Sequence, residues 1–210
     1  EHGVKVNYLV GGYKAYRRNV YSFFKNIDNL PRAVVLTGLT GVGKTRLLKI
    51  LSDQGLPTVD LEGLVNNRGS VFGSIHGGRQ PSQKNFEALL YEVIKKHDYS
   101  YIILECESKR IGRVYLPDNL SVRMKEGSRI HLFADFQTRV ERVVEDYSKF
   151  PEKNLLKALQ MLKERLGKPK IACLEELIIN GQFAEASAIL LEEYYDPLYG
   201  FSDSESYKYD

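Results

Sequence analysis

Cysteine and tryptophan are scarce in this chain of 210 residues, which has two cysteines and no tryptophan. Cys106 and Cys173 lie far apart and lack the close spacing of metal-ligating cysteines. This pattern argues against a disulfide framework and against a zinc site, and it predicts a reduced, cytoplasmic protein. Each thiol is expected to be a small buried side chain.

Long apolar runs are also missing. No run approaches the roughly 18 consecutive apolar residues of a membrane helix, so no membrane partner is expected. The N-terminus is polar and lacks the apolar region of a signal peptide. Because residue 1 is Glu rather than Met, the chain is expected to begin partway through a longer protein. Hydrophobic residues make up 43% of the sequence, which is enough to bury a core.

The excess of positive charge is small, at +3, and it is uneven along the chain. Residues 192–210 carry six acidic residues and one lysine, so the remainder of the chain is basic. A basic surface suits a polyanionic partner, but only weakly. A solvated charged surface explains this composition nearly as well.

The pattern around which the rest of the chain is organised is the phosphate-binding signature G-x-x-x-x-G-K-[ST]. Residues 33–37, which are apolar and rich in β-branched side chains, precede it, and residues 46–51, with helical spacing, follow it. Strand, glycine loop and helix form the context that this signature requires. The residues predicted to bind phosphate are Gly38, Leu39, Thr40, Gly41, Val42, Gly43, Lys44 and Thr45.

Each residue type in this phosphate loop, residues 38–45, has a physical role. Glycines let successive N–H groups turn inward toward phosphate oxygens. The helix that starts near Gly43 directs its positive end at the same anion. Lys44 adds a positive charge for terminal phosphate oxygens, and the Thr45 hydroxyl suits Mg²⁺. The loop does not reveal which phosphate compound it holds.

Strands and helices alternate after the phosphate loop. Apolar stretches predict strands at 58–61, 101–104 and 129–133, with amphipathic helices between them. This alternation predicts an α/β fold, a doubly wound parallel sheet of the P-loop NTPase type, with a C-terminal α-helical appendage. Right-handed crossovers would bring the carboxyl ends of all strands to one edge, where ligands bind.

Four regions are predicted along the chain. Residues 1–30, with a strand at 4–10 and a helix through about residue 24, look like the end of a preceding domain and a linker. Residues 31–150 form the α/β domain, and residues 151–193 form the helical appendage. Residues 194–210 form an acidic, aromatic tail that is expected to be partly loose.

Acidic residues follow two of the predicted strands. Asp60 and Glu62 come at the end of one, and Glu105 and Glu107 end a strand expected near the phosphate strand. Such carboxylates could hold Mg²⁺, orient an acceptor or act as a base. The alternative for Asp60 and Glu62 is a helix cap or a surface pair. Thr45 and Asp60 are the predicted metal ligands.

Arginines are frequent on the predicted edge loops. Arginine suits bidentate contact with phosphate, so several of them could clamp a second phosphate group. For each one, a solvent-exposed charge is an equally good explanation. The predicted clamp residues are Arg68, Arg79, Arg110, Arg139 and Arg142.

Several segments together resemble the tRNA 2-selenouridine synthase family. They are Gly38–Thr45, Asp60–Leu64, Asn67–Gly73, Gln80–Gln83 with Phe86, and Glu105–Gly112. Gly11–Arg17 resembles the end of the family's rhodanese domain, and Asp146–Tyr147 and Tyr194–Pro197 fit its C-terminal part. With the edge positions, the resemblance predicts these catalytic residues: Lys44, Asp60, Glu62, Arg68, Ser70, Glu105, Glu107 and Arg110.

The resemblance implies a two-step change at the wobble 2-thiouridine of certain tRNAs. Geranyl diphosphate alkylates the sulfur, and selenophosphate then supplies selenium while the S-geranyl group leaves. The phosphate loop would hold a diphosphate or selenophosphate rather than hydrolyse ATP, with Mg²⁺ as the expected cofactor.

The resemblance also implies partners. The tRNA would dock through backbone contacts and a splayed base. A rhodanese domain or subunit is expected as a partner, because no cysteine equivalent to that of its active loop is present. The chain alone is therefore expected to be impaired in selenation. The predicted tRNA-binding residues are Lys14, Arg17, Arg18, Lys163, Arg165, Lys168 and Lys170.

Two other functions share parts of this pattern. An ATP-dependent small-molecule or nucleotide kinase would have the same sheet, Lys44, Thr45 and Asp60, but it has no need of the Arg68–Ser70 or Glu105–Ser108 segments. A nucleotide switch that binds a protein partner would carry a guanine-reading Asn-Lys-x-Asp, which this sequence does not contain.

Overall fold

The computed structural model describes residues 8–66, 79–96, 99–105 and 108–199. Within these ranges the strands are β1 Arg32–Thr37, β2 Thr58–Val59, β3 Tyr101–Glu105, β4 Arg110–Ile111, β5 Val114–Tyr115 and β6 Ser128–His131. The strands β2-β3-β1-β6 form a parallel sheet in that order, and β4 and β5 form an antiparallel pair. This confirms the predicted parallel sheet.

Helices cover both faces of the sheet, as a doubly wound fold requires. The helices up to residue 147 are α1 Gly12–Lys25, α2 Lys44–Asp53, α3 Leu61–Val65, α4 Gln83–Lys96, α5 Asp118–Glu126 and α6 Phe136–Tyr147. Val35 and Leu104 pack on one face with residues of α1, α4 and α5. Leu36 and Ile103 pack on the other face with Leu48 of α2. Neighbouring strand residues therefore point to opposite layers.

The strand β1 lies between β3 and β6, and this fixes what flanks the phosphate loop. In the parallel register, Leu36 pairs with Glu105 and Thr37 pairs with His131. The last residues of β3 and β6 are therefore level with the end of β1. The prediction that the strand ending in Glu105 lies beside the phosphate strand is confirmed.

The helix α1 packs as part of the α/β domain. Val20 and Phe24 are buried in the same core as β1 and β3. Asn119 of α5 donates to the main-chain oxygens of Phe24 and Lys25, at 3.0 and 2.9 Å. The predicted helix through about residue 24 is confirmed, while its origin in a rhodanese domain stays a prediction. Of the strand predicted at 4–10, residues 4–7 lie outside the described residues, and residues 8–10 form no strand.

Residues 151–199, the helical region, form a second core. Its helices are α7 Glu152–Gln160, α8 Lys163–Ile179 with an extended break at Gly167, α9 Phe183–Leu190, a π-helical turn Leu191–Tyr195 and α10 Asp196–Tyr199. Leu159 and Leu174 are fully buried in this core, and Val140 and Val143 of α6 join it. The predicted all-helical pattern is confirmed.

One expectation about these helices is wrong, because Cys173 of α8 is exposed rather than buried; Cys106 lies outside the described residues. Tyr194 and Tyr195, at the start of the predicted tail, are buried in the core of the helical region. Residues 200–210 lie outside the described residues, so the partly loose tail stays a prediction. On α4, the buried face is formed by Phe86, Leu90 and Ile94. No helix in the described part of the chain is long and apolar enough to cross a membrane.

Candidate phosphate-binding site

The phosphate loop connects β1 to α2 and depends on its glycines. Gly38, Gly41 and Gly43 have φ of 134°, 83° and 95°, conformations that other L-residues rarely adopt. A Cβ at Gly38 would lie 2.5 Å from the main-chain oxygen of Leu132. The loop is therefore tightly packed on its outer side as well as conformationally restricted.

Lys44 and Thr45 begin α2 at the base of the loop. The Lys44 ammonium donates to the main-chain oxygens of Gly38 and Leu39, the latter at 3.3 Å. The Thr45 hydroxyl donates to Glu105 Oε1 at 2.6 Å. Glu105 is 4% exposed, so a carboxylate is held at the end of β3 beside the loop's threonine.

Asp60 has a different local role. It is exposed at the end of β2, and its side chain caps α3 by accepting from Gly63 N at 2.7 Å. β2 pairs with β3 and not with β1 in the sheet order, and the Thr45 hydroxyl donates to Glu105. The helix-cap alternative for Asp60 is confirmed, and its metal role stays a prediction. Glu62 is half-buried in the first turn of α3.

The residues present fit Mg²⁺ through Thr45 and Glu105. A hard cation bound with a phosphate ligand takes its oxygens from a hydroxyl, one or two carboxylates, the phosphate and water. Thr45 and Glu105 supply the first two within 2.6 Å of each other. No cluster of three or more His, Cys, Asp or Glu side chains suited to a metal occurs among the described residues.

The predicted clamp arginines of α6 have acceptors inside the protein. Arg139, which is 4% exposed, donates from Nε to Thr40 O at 2.8 Å and forms a bidentate pair with Asp196. Arg142 Nη1 donates to Val42 O at 2.6 Å. Both side chains support the main chain of the loop, and a role as substrate clamps stays a prediction.

Of the other predicted arginines, Arg79 is exposed and Arg110 lies on β4. Arg110 Nε donates to Gly112 O at 3.0 Å, and its guanidinium carbon lies 5.8 Å from the centre of the Tyr115 ring. Arg68, Ser70 and Glu107 lie outside the described residues.

Two glutamines missed by the sequence reasoning hold the β4–β5 hairpin. Gln80 Oε1 accepts from Arg113 N at 3.0 Å. The Gln83 amide accepts from Tyr115 N at 2.9 Å and donates to Tyr115 O at 2.8 Å, as a neighbouring strand would. Gln80 also packs against Gly112, because a Cβ at Gly112 would lie 2.6 Å from Gln80 Nε2. Two of the segments that carry the family resemblance are therefore in contact, and no local signal in the sequence marks this contact.

Aromatic side chains flank the loop on the β6 side, and the sequence did not single them out. The Thr37 hydroxyl lies 3.1 Å from His131 Nδ1. The rings of His131 and Phe133 are 4.5 Å apart, and Phe133 is 65% exposed. The loop therefore has an acidic neighbour on the β3 side and an aromatic neighbour on the β6 side.

The basic residues predicted to bind tRNA divide into two groups. Arg17 forms an ion pair with Glu87, and Lys170 pairs with Glu193 at 2.7 Å, a contact that raises the pKa of Lys170. The exposed members on α1 and α8 are Lys14, Arg18, Lys163, Arg165 and Lys168.

Together, the sheet order, the glycine loop and the Thr45–Glu105 contact define a phosphate-loop α/β protein. A family model described as the tRNA 2-selenouridine synthase AAA domain matches residues 31–208. The chain belongs to the tRNA 2-selenouridine synthase family.

Relatives in this family agree along almost the whole chain. A tRNA 2-selenouridine synthase of Sulfurovum sp. (strain NBC37-1) is 33% identical, and one of Shewanella pealeana (strain ATCC 700345 / ANG-SQ1) is 32% identical. Each match covers 96% of this chain and 62% of the relative. The chain thus spans about three fifths of the length of these curated relatives.

A solved gluconokinase from Sinorhizobium meliloti 1021 is also similar, with 16% identity and a TM-score of 0.33. That likeness covers 82% of this chain and 98% of the gluconokinase. A TM-score this low supports no conclusion about activity.

Proposed function

We propose that this chain carries the diphosphate-binding and transfer part of a tRNA 2-selenouridine synthase. The observation that carries the proposal is the phosphate loop with Lys44 at its base and Thr45 bonded to the buried Glu105. Such a site stabilises negative charge on a departing phosphate group. Membership in the family supports the choice of a tRNA reaction over a small-molecule reaction.

In the first proposed step, the sulfur of the wobble 2-thiouridine forms a bond to C1 of the geranyl group. The bond between C1 and the diphosphate oxygen breaks, and diphosphate leaves. The loop N–H groups and the Lys44 ammonium would take up the charge that develops on the leaving diphosphate. Thr45 and Glu105 would hold Mg²⁺, which supplies further neutralisation of that charge.

In the second proposed step, the selenium of selenophosphate forms a bond to C2 of the base, the C2–S bond breaks and geranylthiol leaves. Water then cleaves the Se–P bond, which releases phosphate and leaves selenium on C2. Alkylation makes the sulfur a better leaving group than it is in the thiouridine. The same loop could hold the phosphate part of selenophosphate, because both donors present a phosphate group to it.

The aromatic side chains on the β6 side support a donor with a non-phosphate apolar part. Phe133 is largely exposed and packs against His131, directly beside the end of β1. Exposed aromatic surface next to a phosphate site offers contact area to a prenyl chain. An adenine ring could also stack there, so ATP is the informative competitor.

The test is binding of geranyl diphosphate and of ATP, each with Mg²⁺, to the wild-type chain and to Lys44→Ala. Lys49→Ala is the matched control, because Lys49 is an exposed lysine on the same helix. We expect tighter binding of geranyl diphosphate than of ATP, lost in Lys44→Ala and kept in Lys49→Ala. Tight ATP binding without affinity for geranyl diphosphate would favour the kinase alternative and overturn the proposal.

A second proposal concerns the rhodanese domain that the family resemblance implies. We propose that selenation needs a rhodanese domain, whereas geranylation does not. Formation of selenouridine in tRNA should be measured with and without an added rhodanese domain. Full selenation by this chain alone would contradict the requirement and leave the geranylation proposal intact.

The tRNA is proposed to dock on exposed basic residues of α1 and α8. Lys163→Glu with Lys168→Glu should weaken tRNA binding and reduce its salt dependence, because phosphate contacts release counterions. Binding of geranyl diphosphate to that double variant should not change. Unaltered tRNA affinity would exclude Lys163 and Lys168 as docking residues.

A further inference from the structure

The outer side of the phosphate loop is held by side chains from α6. When the loop turns its N–H groups inward to an anion, the carbonyl groups turn outward and need donors of their own. Arg139 supplies one to Thr40 O at 2.8 Å, and Arg142 supplies one to Val42 O at 2.6 Å. The main-chain oxygen of Arg139 also lies where a Cβ at Gly41 would be only 2.9 Å away. The inward orientation of the loop N–H groups therefore depends on the positions of the Arg139 side chain and backbone.

Asp196 fixes the position of the Arg139 guanidinium. Its two carboxylate oxygens accept from Nη1, at 3.0 Å, and from Nη2. A bidentate pair sets the plane of the guanidinium as well as its distance. Because Arg139 is almost completely buried, its charge would be costly without this partner. With the guanidinium held in this way, Nε donates to Thr40 O.

The segment that carries Asp196 is itself anchored in the core of the helical region. Tyr194 and Tyr195, which precede it, are buried, and their rings meet edge to face at 4.9 Å between centroids. They belong to a π-helical turn, Leu191–Tyr195, that leads directly into α10. A π-helical turn shifts the residues that follow it around the helix axis, and such turns are frequent at functional sites. Here the residue that follows it is Asp196.

We infer that Asp196 is a positioning residue for the phosphate loop. Asp196 acts through Arg139 on the Thr40 carbonyl, and it thereby couples the order of residues 191–199 to phosphate binding. The inference rests on the proposed function, since it takes the loop to bind a diphosphate group. Coupling between two sites is reciprocal. A ligand bound to the phosphate loop should therefore also stabilise the packing of residues 191–199.

The sign of the effect separates this inference from simple electrostatics. Asp196 is a negative charge close to an anion site, so its removal would tighten anion binding if only charge mattered. If Asp196 positions the loop, its removal weakens binding. Glu193→Gln is the matched control. Glu193 lies three residues before Asp196, and its replacement also removes one carboxylate and one ion pair, the pair with Lys170.

The experiment measures the affinity for pyrophosphate by calorimetry in the wild-type chain, Asp196→Asn, Asp196→Glu and Glu193→Gln. We expect Asp196→Asn to bind about 5- to 20-fold more weakly, with affinity partly restored in Asp196→Glu. Glu193→Gln should bind as the wild type does or slightly more tightly. Unchanged or tighter binding in Asp196→Asn would overturn the inference.

A second readout does not need a ligand. Amide hydrogen exchange of residues 40–43 should be faster in Asp196→Asn than in Glu193→Gln, since the loop loses its outer support. If Asp196→Asn does not fold, Arg139→Lys replaces it, because a lysine keeps the charge but lacks the planar fork that pairs with both carboxylate oxygens while Nε donates to Thr40 O. The coupling would be refuted if residues 40–43 exchanged at the same rate in the Asp196 or Arg139 variant as in Glu193→Gln.

The two proposals fail in different ways. Absence of pyrophosphate binding in the wild-type chain would count against the proposed function, while the exchange experiment would still decide whether Asp196 positions the loop. In the converse case, the wild-type chain binds pyrophosphate, loses that binding in Lys44→Ala and retains it in Asp196→Asn. This result would support the proposed function and contradict the positioning role of Asp196.

Discussion

Replacing Gly38 by alanine should disable the phosphate loop for two separate reasons. Its φ of 134° is a conformation that costs an L-residue about 1–3 kcal/mol. A Cβ would also lie 2.5 Å from Leu132 O. Leu132 cannot easily move away, because its N–H donates to Thr37 O at 2.9 Å. Relief of such an overlap adds about 1–3 kcal/mol, so Gly38→Ala should lower the free energy of unfolding by about 2–6 kcal/mol.

Gly55→Ala is the matched control for this prediction. Gly55 has a φ of 82°, but a Cβ there would meet nothing within 4 Å, so only the backbone strain of about 1–2 kcal/mol applies. Gly55 lies in the turn after α2, at the end of that helix opposite the phosphate loop.

Urea denaturation gives the free energy of unfolding of both variants, and calorimetry gives their affinity for pyrophosphate. We expect Gly55→Ala to lose some stability and keep its affinity, and Gly38→Ala to lose more stability together with its affinity. If Gly38→Ala were no less stable than Gly55→Ala, or bound pyrophosphate as the wild type does, the packing argument for the loop would be refuted.

Three further predictions follow from the same structure. Leu159→Ala should lower the free energy of unfolding by about 2–5 kcal/mol, against about 0.5 kcal/mol or less for the exposed Met161→Ala, as measured by urea denaturation. Thr45→Val should abolish the gain in pyrophosphate affinity that Mg²⁺ gives, whereas Thr45→Ser should keep it; an equal Mg²⁺ effect in both variants would contradict the role of the hydroxyl. Asp135 caps α6 by accepting from Thr138 N and Oγ1, which lowers its pKa below the ordinary value of 3.8. A lowered pKa stabilises the fold above the ordinary value and loses that effect as the pH falls through the folded value, so the difference in melting temperature between wild type and Asp135→Asn should shrink below pH 3.8.

The features that the sequence predicted well are those that local pattern and chain topology determine. The strand, glycine loop and helix around residues 33–51 form a continuous signature with its own backbone requirements. The position of Glu105 beside the loop follows from topology, because a strand placed next to β1 in a parallel sheet must end at the same edge. Glu105 is 60 residues away from Thr45 in the sequence, yet its position beside the phosphate loop could be predicted.

The sequence could not predict which partners the charged side chains would find. Arg139 and Asp196 are 57 residues apart, and nothing local marks either as half of a buried pair. The position of Arg139 near the phosphate loop predicts a substrate clamp, but it does not reveal that the guanidinium holds the main chain of the loop. The same limit applies to Tyr194 and Tyr195, because their burial depends on a packing surface that only the folded chain presents.

The helical region, which is the predicted appendage, also supports the site. The helix α6 uses Val140 and Val143 to pack into the core of the helical region and Arg139 and Arg142 to hold the loop. Residues at i and i+3 or i+4 share a helix face, so neighbouring faces of one helix serve two different contacts. The helical core sets the position of α6, and α6 in turn sets the position of the phosphate loop that it contacts, because packed interiors yield little to displacement. Changes that loosen the helical core should therefore weaken phosphate binding even where they lie far from the loop.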